Sequence, residues 1–299
     1  MNFELLKSQL IDASRISDGS RWSRLARHPI RTLLPYAMRK LSIQRAVDLD
    51  TVWGGRFSGI LPEAVTSEIW RSGSFELHVG LALLEYLKPG SCYIDVGAHF
   101  GYFSLFASKL VGPTGRVLSV EAMPSTFQYL TENVRKNAAY QNVTIFQGAA
   151  YSESAELVFR DFGVVASSLN SAFTARDNFQ IIRSAGVEVI VQAHPVDSLI
   201  EKFDCDKIDL IKIDAESSEK FVLQGLKNTL AKFRPTIVME VGDANLTGNS
   251  VGEILSQMSS AGYTAYSRDQ NNRLNKFRQA GHVAYANLVF LPSEKMLPK

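Results

Sequence analysis

The chain has 299 residues, 45% hydrophobic and 21% charged, an ordinary globular balance that argues against disorder, a collagen-like repeat or a coiled coil. Thirty-two basic residues stand against thirty acidic ones, a net charge of +2; the strong positive field of a dedicated nucleic-acid binder is missing, so the expected partner is a small molecule or glycan and no nucleic acid. At roughly 150 residues per domain the length allows two units, or one large α/β domain with embellishments.

Residues 1–74 carry no strong strand signal and read as an N-terminal helical extension. The opening segment MNFELLKSQLIDAS lacks the apolar core of a signal peptide, and no later stretch reaches the roughly 18 apolar residues of a membrane span. With only Cys92 and Cys205 available, neither a disulfide framework nor a four-cysteine zinc site can be built, and a soluble cytoplasmic protein is expected. Arg21, Arg24, Arg27 and Arg31 lie three or four residues apart with no acid between Gly19 and Val47. This basic helical face is expected to be solvated, with no strong hydrophobic stripe expected beside it that would favour an anionic membrane or a partner.

A helix is predicted from Phe75 to Leu87, where Leu77, Leu81, Leu84 and Leu87 recur before Lys88, Pro89 and Gly90 stop it. From Ser91 apolar runs alternate with helical segments: SCYIDVG, GRVLSVEA and NVTIFQGAAYS as strands, GYFSLFASKLV and PSTFQYLTENVRKNA as helices. A polar, irregular insertion follows at about 160–186. Then come IDLIKIDAE as a strand, a helix through Val222, Leu223, Leu226 and Leu230, PTIVMEVG, and a closing antiparallel hairpin expected on the sheet's edge, YTAYSR and VAYANLVFLP. The alternation predicts an α/β, doubly wound, mostly parallel sheet of about seven strands over residues 75–299.

The turn in YIDVGAHFGYFSL carries the first candidate site. A dinucleotide fingerprint needs three glycines so that backbone can approach a pyrophosphate; only Gly97 is present, with His99 and Tyr102 at the other two positions. Asp95, Gly97 and Gly101 fit the acid-x-Gly-x-x-x-Gly pattern instead, which suits a ligand with a ribose and an amino-acid tail. Glu121, ending the second strand, stands where nucleotide folds place a carboxylate on ribose hydroxyls. A third cluster, KIDAESSE, offers Lys212, Asp214, Glu216 and Glu219 at the carboxyl end of a central strand, with Glu240 and Asp243 ending the next. These acids read as ligands of a hard ion such as Mg²⁺, as a general base, or as cofactor-orienting and helix-capping groups. Asp214 is the main functional candidate and Glu219 the structural one; a metal is not favoured. Among His28, His78, His99, His194 and His282 no pair has metal-ligand spacing, and His99 alone is a candidate base.

Over residues 72–241 these segments resemble, in order, the FkbM-type family of S-adenosylmethionine-dependent methyltransferases. The resemblance implies the class I methyltransferase, Rossmann-like fold, S-adenosylmethionine as cofactor, and O-methylation of a hydroxyl on a sugar, glycan or secondary metabolite. It implies that Asp95, Gly97, Ala98, His99 and Gly101 form the cofactor loop, Glu121 and Ala122 the ribose side, and Gly148, Ala149, Ala150 and Tyr151 the wall beside the adenine. Glu76 matches an acid that the family often carries before its first strand, and Asp214 and Glu216 its signature segment. His99 stands where the family commonly has asparagine, and Ser217 and Ser218 replace its usual small pair. Two rival readings are a non-catalytic cofactor-binding module that engages a partner through the N-terminal region, and a nicotinamide-dependent oxidoreductase, which the missing glycines disfavour. Homo-oligomerisation is left open.

Overall fold

The computed structural model describes residues 2–137, 141–169, 186–203, 205–215, 218–242, 251–278 and 285–295. The chain begins with helices α1 (Phe3–Asp18), α2 (Arg21–Arg27) and α3 (Pro29–Lys40), continues through strands β1 (Arg45–Asp50) and β2 (Arg56–Leu61), and reaches α4 (Ala64–Ser72) and α5 (Leu77–Tyr86). The front of the chain is therefore not purely helical. β1 and β2 pair antiparallel from Arg45 opposite Leu61 to Asp50 opposite Arg56. Their alternation is short, and the polar partners that flank Leu49 and Phe57 hide it from a helix-length window. Phe57 and Leu61 point inward and are buried, and Trp53 in the connecting turn stacks on Phe106 with ring centroids 5.7 Å apart.

The α/β architecture follows as expected: β3 (Cys92–Val96), α6 (Tyr102–Val111), β4 (Arg116–Glu121), α7 (Pro124–Lys136) and β5 (Val143–Gln147). Pro124 opens α7 with its fixed φ, where a backbone N–H would lack a helical partner anyway. The run NVTIFQGAAYS, predicted as one strand, breaks at Gly148, and β6 (Ala149–Tyr151) leaves for a second sheet. There it joins β8 (Val187–Pro195), which also pairs antiparallel with β7 (Ala155–Asp161). The insertion is thus the connection of a β-hairpin. Its start holds a 3₁₀ segment at Val164–Leu169, and residues 170–185 lie outside the described residues.

Helix α8 (Val196–Phe203) leads to β9 (Leu210–Ile213), then α9 (Glu219–Gln224), α10 (Lys227–Phe233), β10 (Thr236–Gly242), α11 (Val251–Ser260), β11 (Tyr263–Arg268), β12 (Leu274–Lys276) and β13 (Tyr285–Pro292). The single helix predicted through Val222 and Leu230 is two, because the chain turns at Gly225. A Cβ there would stand 2.0 Å from the Tyr151 carbonyl oxygen. Among the described residues the main sheet has eight strands in the order β12-β11-β13-β10-β9-β3-β4-β5, the seven expected plus the short β12. β13 lies between β10 and β11 instead of at the edge.

The sheet reverses direction of growth at β3, with β4 and β5 on one side and β9 and β10 on the other. Ligands bind at the carboxyl ends of strands beside such a switch point. Side chains alternate between two cores. Ile94, Val96, Ile211, Ile213 and Met239 face one side. Tyr93, Leu210 and Val238 face the other, where Leu6, Leu10, Trp53 and Phe57 of the N-terminal region complete the packing. Buried aromatic and aliphatic side chains of this kind contribute about 1.5–3 kcal/mol each.

Candidate active site

Register brings the first two charged groups together. Asp95 and Lys212 are partners across the parallel pair β3–β9, and period-two alternation turns both toward the face that carries Tyr93. Asp95 is fully buried and accepts from Ser104 Oγ at 2.6 Å, while Lys212 Nζ stands 3.8 Å from its other oxygen. Burial pushes the Asp95 carboxyl up, and Lys212 and Ser104 hold it back. Lys212 is buried too, which alone would depress it; Asp214, Asp95 and Glu76 reverse this and hold the ammonium charged. Lys212 also donates to the Gly97 carbonyl and to Asp214 Oδ2, both at 3.2 Å.

The turn after β3 presses against the end of β9. Gly97 has φ +74°, and a Cβ would lie 1.8 Å from the Asp214 carbonyl oxygen, so no side chain fits. The Gly97 and Ala98 N–H groups both donate to the Val120 carbonyl at 3.0 Å. His99 adopts φ +53°, its N–H donates to Glu121 Oε2 at 2.8 Å, and its Nε2 lies 2.7 Å from Ser167 Oγ. The imidazole also stacks on Phe100 at 4.1 Å. Glu121 is nearly buried and gathers three donors, adding Met123 N–H at 3.0 Å and Thr126 Oγ1 at 2.6 Å. The carboxylate therefore joins the β3 turn to the start of α7. Behind it, Asn133 Nδ2 donates to the Ser58 and Phe100 carbonyls, which ties the N-terminal hairpin to the same turn.

Two further carboxyls meet Asp214. Glu76, just before α5 and held at φ +38°, is raised to about 8, first by burial and then by Asp214. Glu240 at the end of β10 is raised to about 7 by burial, by the charge of Asp214 and by a hydrogen bond with it. Both carboxyls titrate near neutrality beside a permanent ammonium. Among the described residues no group of three histidine, cysteine or carboxylate side chains is arranged to hold a metal ion, and Lys212 occupies the heart of this cluster as its cation.

These elements surround a cavity of about 330 Å³, within the size range of small-molecule sites. It brings together Glu76, Gly97, Ala98, His99, Glu121, Ala122, Ala149, Ala150 and Asp214, all named from sequence. Asp95 and Gly101 do not line it; Asp95 supports Lys212 from behind, and Gly101 packs beneath Leu130. Glu216, Ser217 and Asp243 lie outside the described residues. Glu219 reaches back to accept from the Ala215 N–H at 3.1 Å, the structural role expected of it. Sequence reasoning did not pick out Thr126, Phe57, Phe75 or Ser167, which also line the cavity. Thr126 was legible as a hydroxyl in the first turn after Glu121; Ser167 sits in the stretch that had no readable pattern.

The family model described as the methyltransferase FkbM domain matches residues 95–265. The 31-O-demethyl-FK506 methyltransferase FkbM of Streptomyces tacrolimicus is 27% identical over 202 residues, 60% of this chain and 74% of that protein. The hexuronic acid methyltransferase AglP of Haloferax volcanii is 25% identical over 207 residues, 68% of this chain and 79% of that protein. Among solved structures, a methyltransferase FkbM from Methylobacillus flagellatus KT aligns with TM-score 0.42 and 14% identity over 77% of this chain and 56% of that one. No helix among the described residues is long and apolar enough to cross a membrane.

Proposed function

The chain belongs to the FkbM family of S-adenosylmethionine-dependent methyltransferases, and on that premise we propose that it methylates a hydroxyl of a sugar, glycan or secondary metabolite. The observation that carries this reading is the two-sided cavity. One side offers a close-packed glycine turn, a multiply bonded glutamate and small apolar side chains; the other offers carboxyls that titrate near neutrality.

The residues present fit the cofactor. Gly97, Ala98 and His99 would follow its amino-acid tail along the β3 turn, where only a glycine admits the backbone. Glu121 would take the ribose hydroxyls, Ala122, Ala149 and Ala150 the adenine, and Asp214 with Glu76 the ammonium. When bound, the cofactor supplies a methyl group already activated on a sulfonium. The remaining work falls to the chain: to align the acceptor oxygen and to remove its proton. Glu240, which lines the cavity, would take that proton at its Oε, since a group poised near neutrality can both accept and release it. Asp214 orients Glu240 and keeps Lys212 charged. His99 is tethered through Ser167 and its own N–H, so it serves as a positioning residue at the loop.

Incubation with S-adenosylmethionine and a panel of polyhydroxylated acceptors, read by release of S-adenosylhomocysteine and the mass of the product, tests the reading. Methyl ethers are expected, and Glu240→Gln should lower turnover by about a hundredfold while leaving cofactor affinity intact. Methyl esters formed at a rate indifferent to Glu240 would overturn it, because a carboxylate acceptor arrives ionised and needs no base. Cofactor binding without transfer to any acceptor would instead support a binding module.

A further inference from the structure

Helix α3 has two apolar faces, and the fold uses one. Pro35 and Met38 are buried, on a helix that packs beside α2 and α4. Ile30, Leu33, Leu34, Ala37 and Leu41 recur at steps of three and four, and at about 100° per residue they fall within about 100° of arc. All five are exposed, Ile30 by 72% and Leu41 by 68%. Trp22 on α2 is 80% exposed, and Tyr36 and Ile43 are exposed as well. The basic region thus carries the hydrophobic stripe that was not expected beside it. Its charge is one-sided: no acid occurs from Ser20 to Val47, while Arg27, Arg31, Arg39, Lys40 and Arg45 are all exposed.

We propose that α2 and α3 form a surface that seats on an anionic lipid bilayer. The apolar stripe with Trp22 enters the boundary between headgroups and acyl chains, and the arginines and Lys40 meet lipid phosphates at its rim. Charge selects this occupant. A second copy seated through the same face would set one arginine- and lysine-rich surface against another, with Glu68 of α4 as the acid in the adjoining groove, and a nucleic acid would leave the leucines and Ile30 facing phosphates. The placement has a consequence for the active cavity: Ala64 and Glu68 of α4 line both that cavity and the groove among α2, α3 and α4. A seated bilayer therefore lies one helix away from the acceptor side.

Co-sedimentation of the full chain with vesicles tests this, using phosphatidylcholine alone and phosphatidylcholine containing phosphatidylglycerol. Sedimentation is expected with the anionic vesicles only and should weaken as salt rises. Arg27→Gln with Lys40→Gln should weaken it by roughly 25-fold, about fivefold for each charge. Leu33→Ser with Leu41→Ser should weaken it by a comparable factor, and both pairs should keep the parental melting curve. Equal binding to both vesicle types, binding to neither, or folded variants that sediment like the parent would overturn the proposal. So would a dimer of the parent chain that the Leu33→Ser, Leu41→Ser pair dissolves in the absence of vesicle binding.

Discussion

Glu121 gathers three internal donors with one carboxylate, and the structure changes what its removal should do. From sequence it is expected to be a ribose ligand; in the fold it satisfies the His99 and Met123 N–H groups and the Thr126 hydroxyl. Glu121→Ala should weaken S-adenosylhomocysteine binding by more than about tenfold in calorimetry. It should also lower unfolding stability in urea by about 1–3 kcal/mol, because it orphans buried donors. Unchanged affinity with lowered stability would leave Glu121 a purely structural brace. Lys212 gives the second residue-scale expectation. Lys212→Met removes the cation that Asp95 and Asp214 share, and breaking a buried pair from one side costs about 3–5 kcal/mol. Asp95→Asn in the same chain should restore much of that loss, since no buried charge is then left beside Ser104. Urea unfolding of the two variants decides it; a double variant no more stable than Lys212→Met alone would show that the pair does not act as a unit.

The elements that position the site were legible where period and punctuation agree. β3, α6 and β4 show apolar runs and α7 an amphipathic spacing of Phe127, Leu130 and Val134, bounded by glycine, proline or a change of period, and each forms within a few residues of its prediction. The failures share a cause. β1, β7 and β8 are partly exposed and mix their alternation with charges, and β2, mostly buried, interrupts it with Ser58 and Gly59. The breaks at Gly148 and Gly225 depend on what lies across the fold, which no local pattern reports. Gly97 is the strictest case of such contact, because the β3 turn meets the end of β9, a segment more than a hundred positions away. Gly97→Ala should push these strands apart, cost at least about 2–4 kcal/mol and abolish cofactor binding. Thermal melting with and without S-adenosylhomocysteine reads both effects; a variant with parental melting and ligand shift would mean that the close approach is relaxed in solution.

Over the whole molecule the acidic cluster sets a pH dependence. Glu76 and Glu240 have ordinary values of 4.5 and are raised in the fold to about 8 and about 7. Between those limits the folded chain holds more protons than the unfolded one. Their contribution to stability is therefore full below about pH 4.5 and is lost as pH rises through about 7 to 8. Melting of the cofactor-free chain should accordingly fall over that window, and Glu76→Gln with Glu240→Gln should flatten the fall; an unaltered slope would remove these two groups as its source. The sequence by itself determined the parallel α/β class, the order of the strands that carry the site, and the chemical types at their ends. Those follow from local periodicity, turn residues and the switch-point rule, which act over a few residues at a time. Only the tertiary structure decided that Asp95 stands behind Lys212, that Glu76 and Glu240 converge on Asp214, and that the N-terminal hairpin shares the core beneath the β3 turn. Strand register and the packing of distant segments set those distances and the burial that shifts the protons, and neither is encoded in any single stretch of chain.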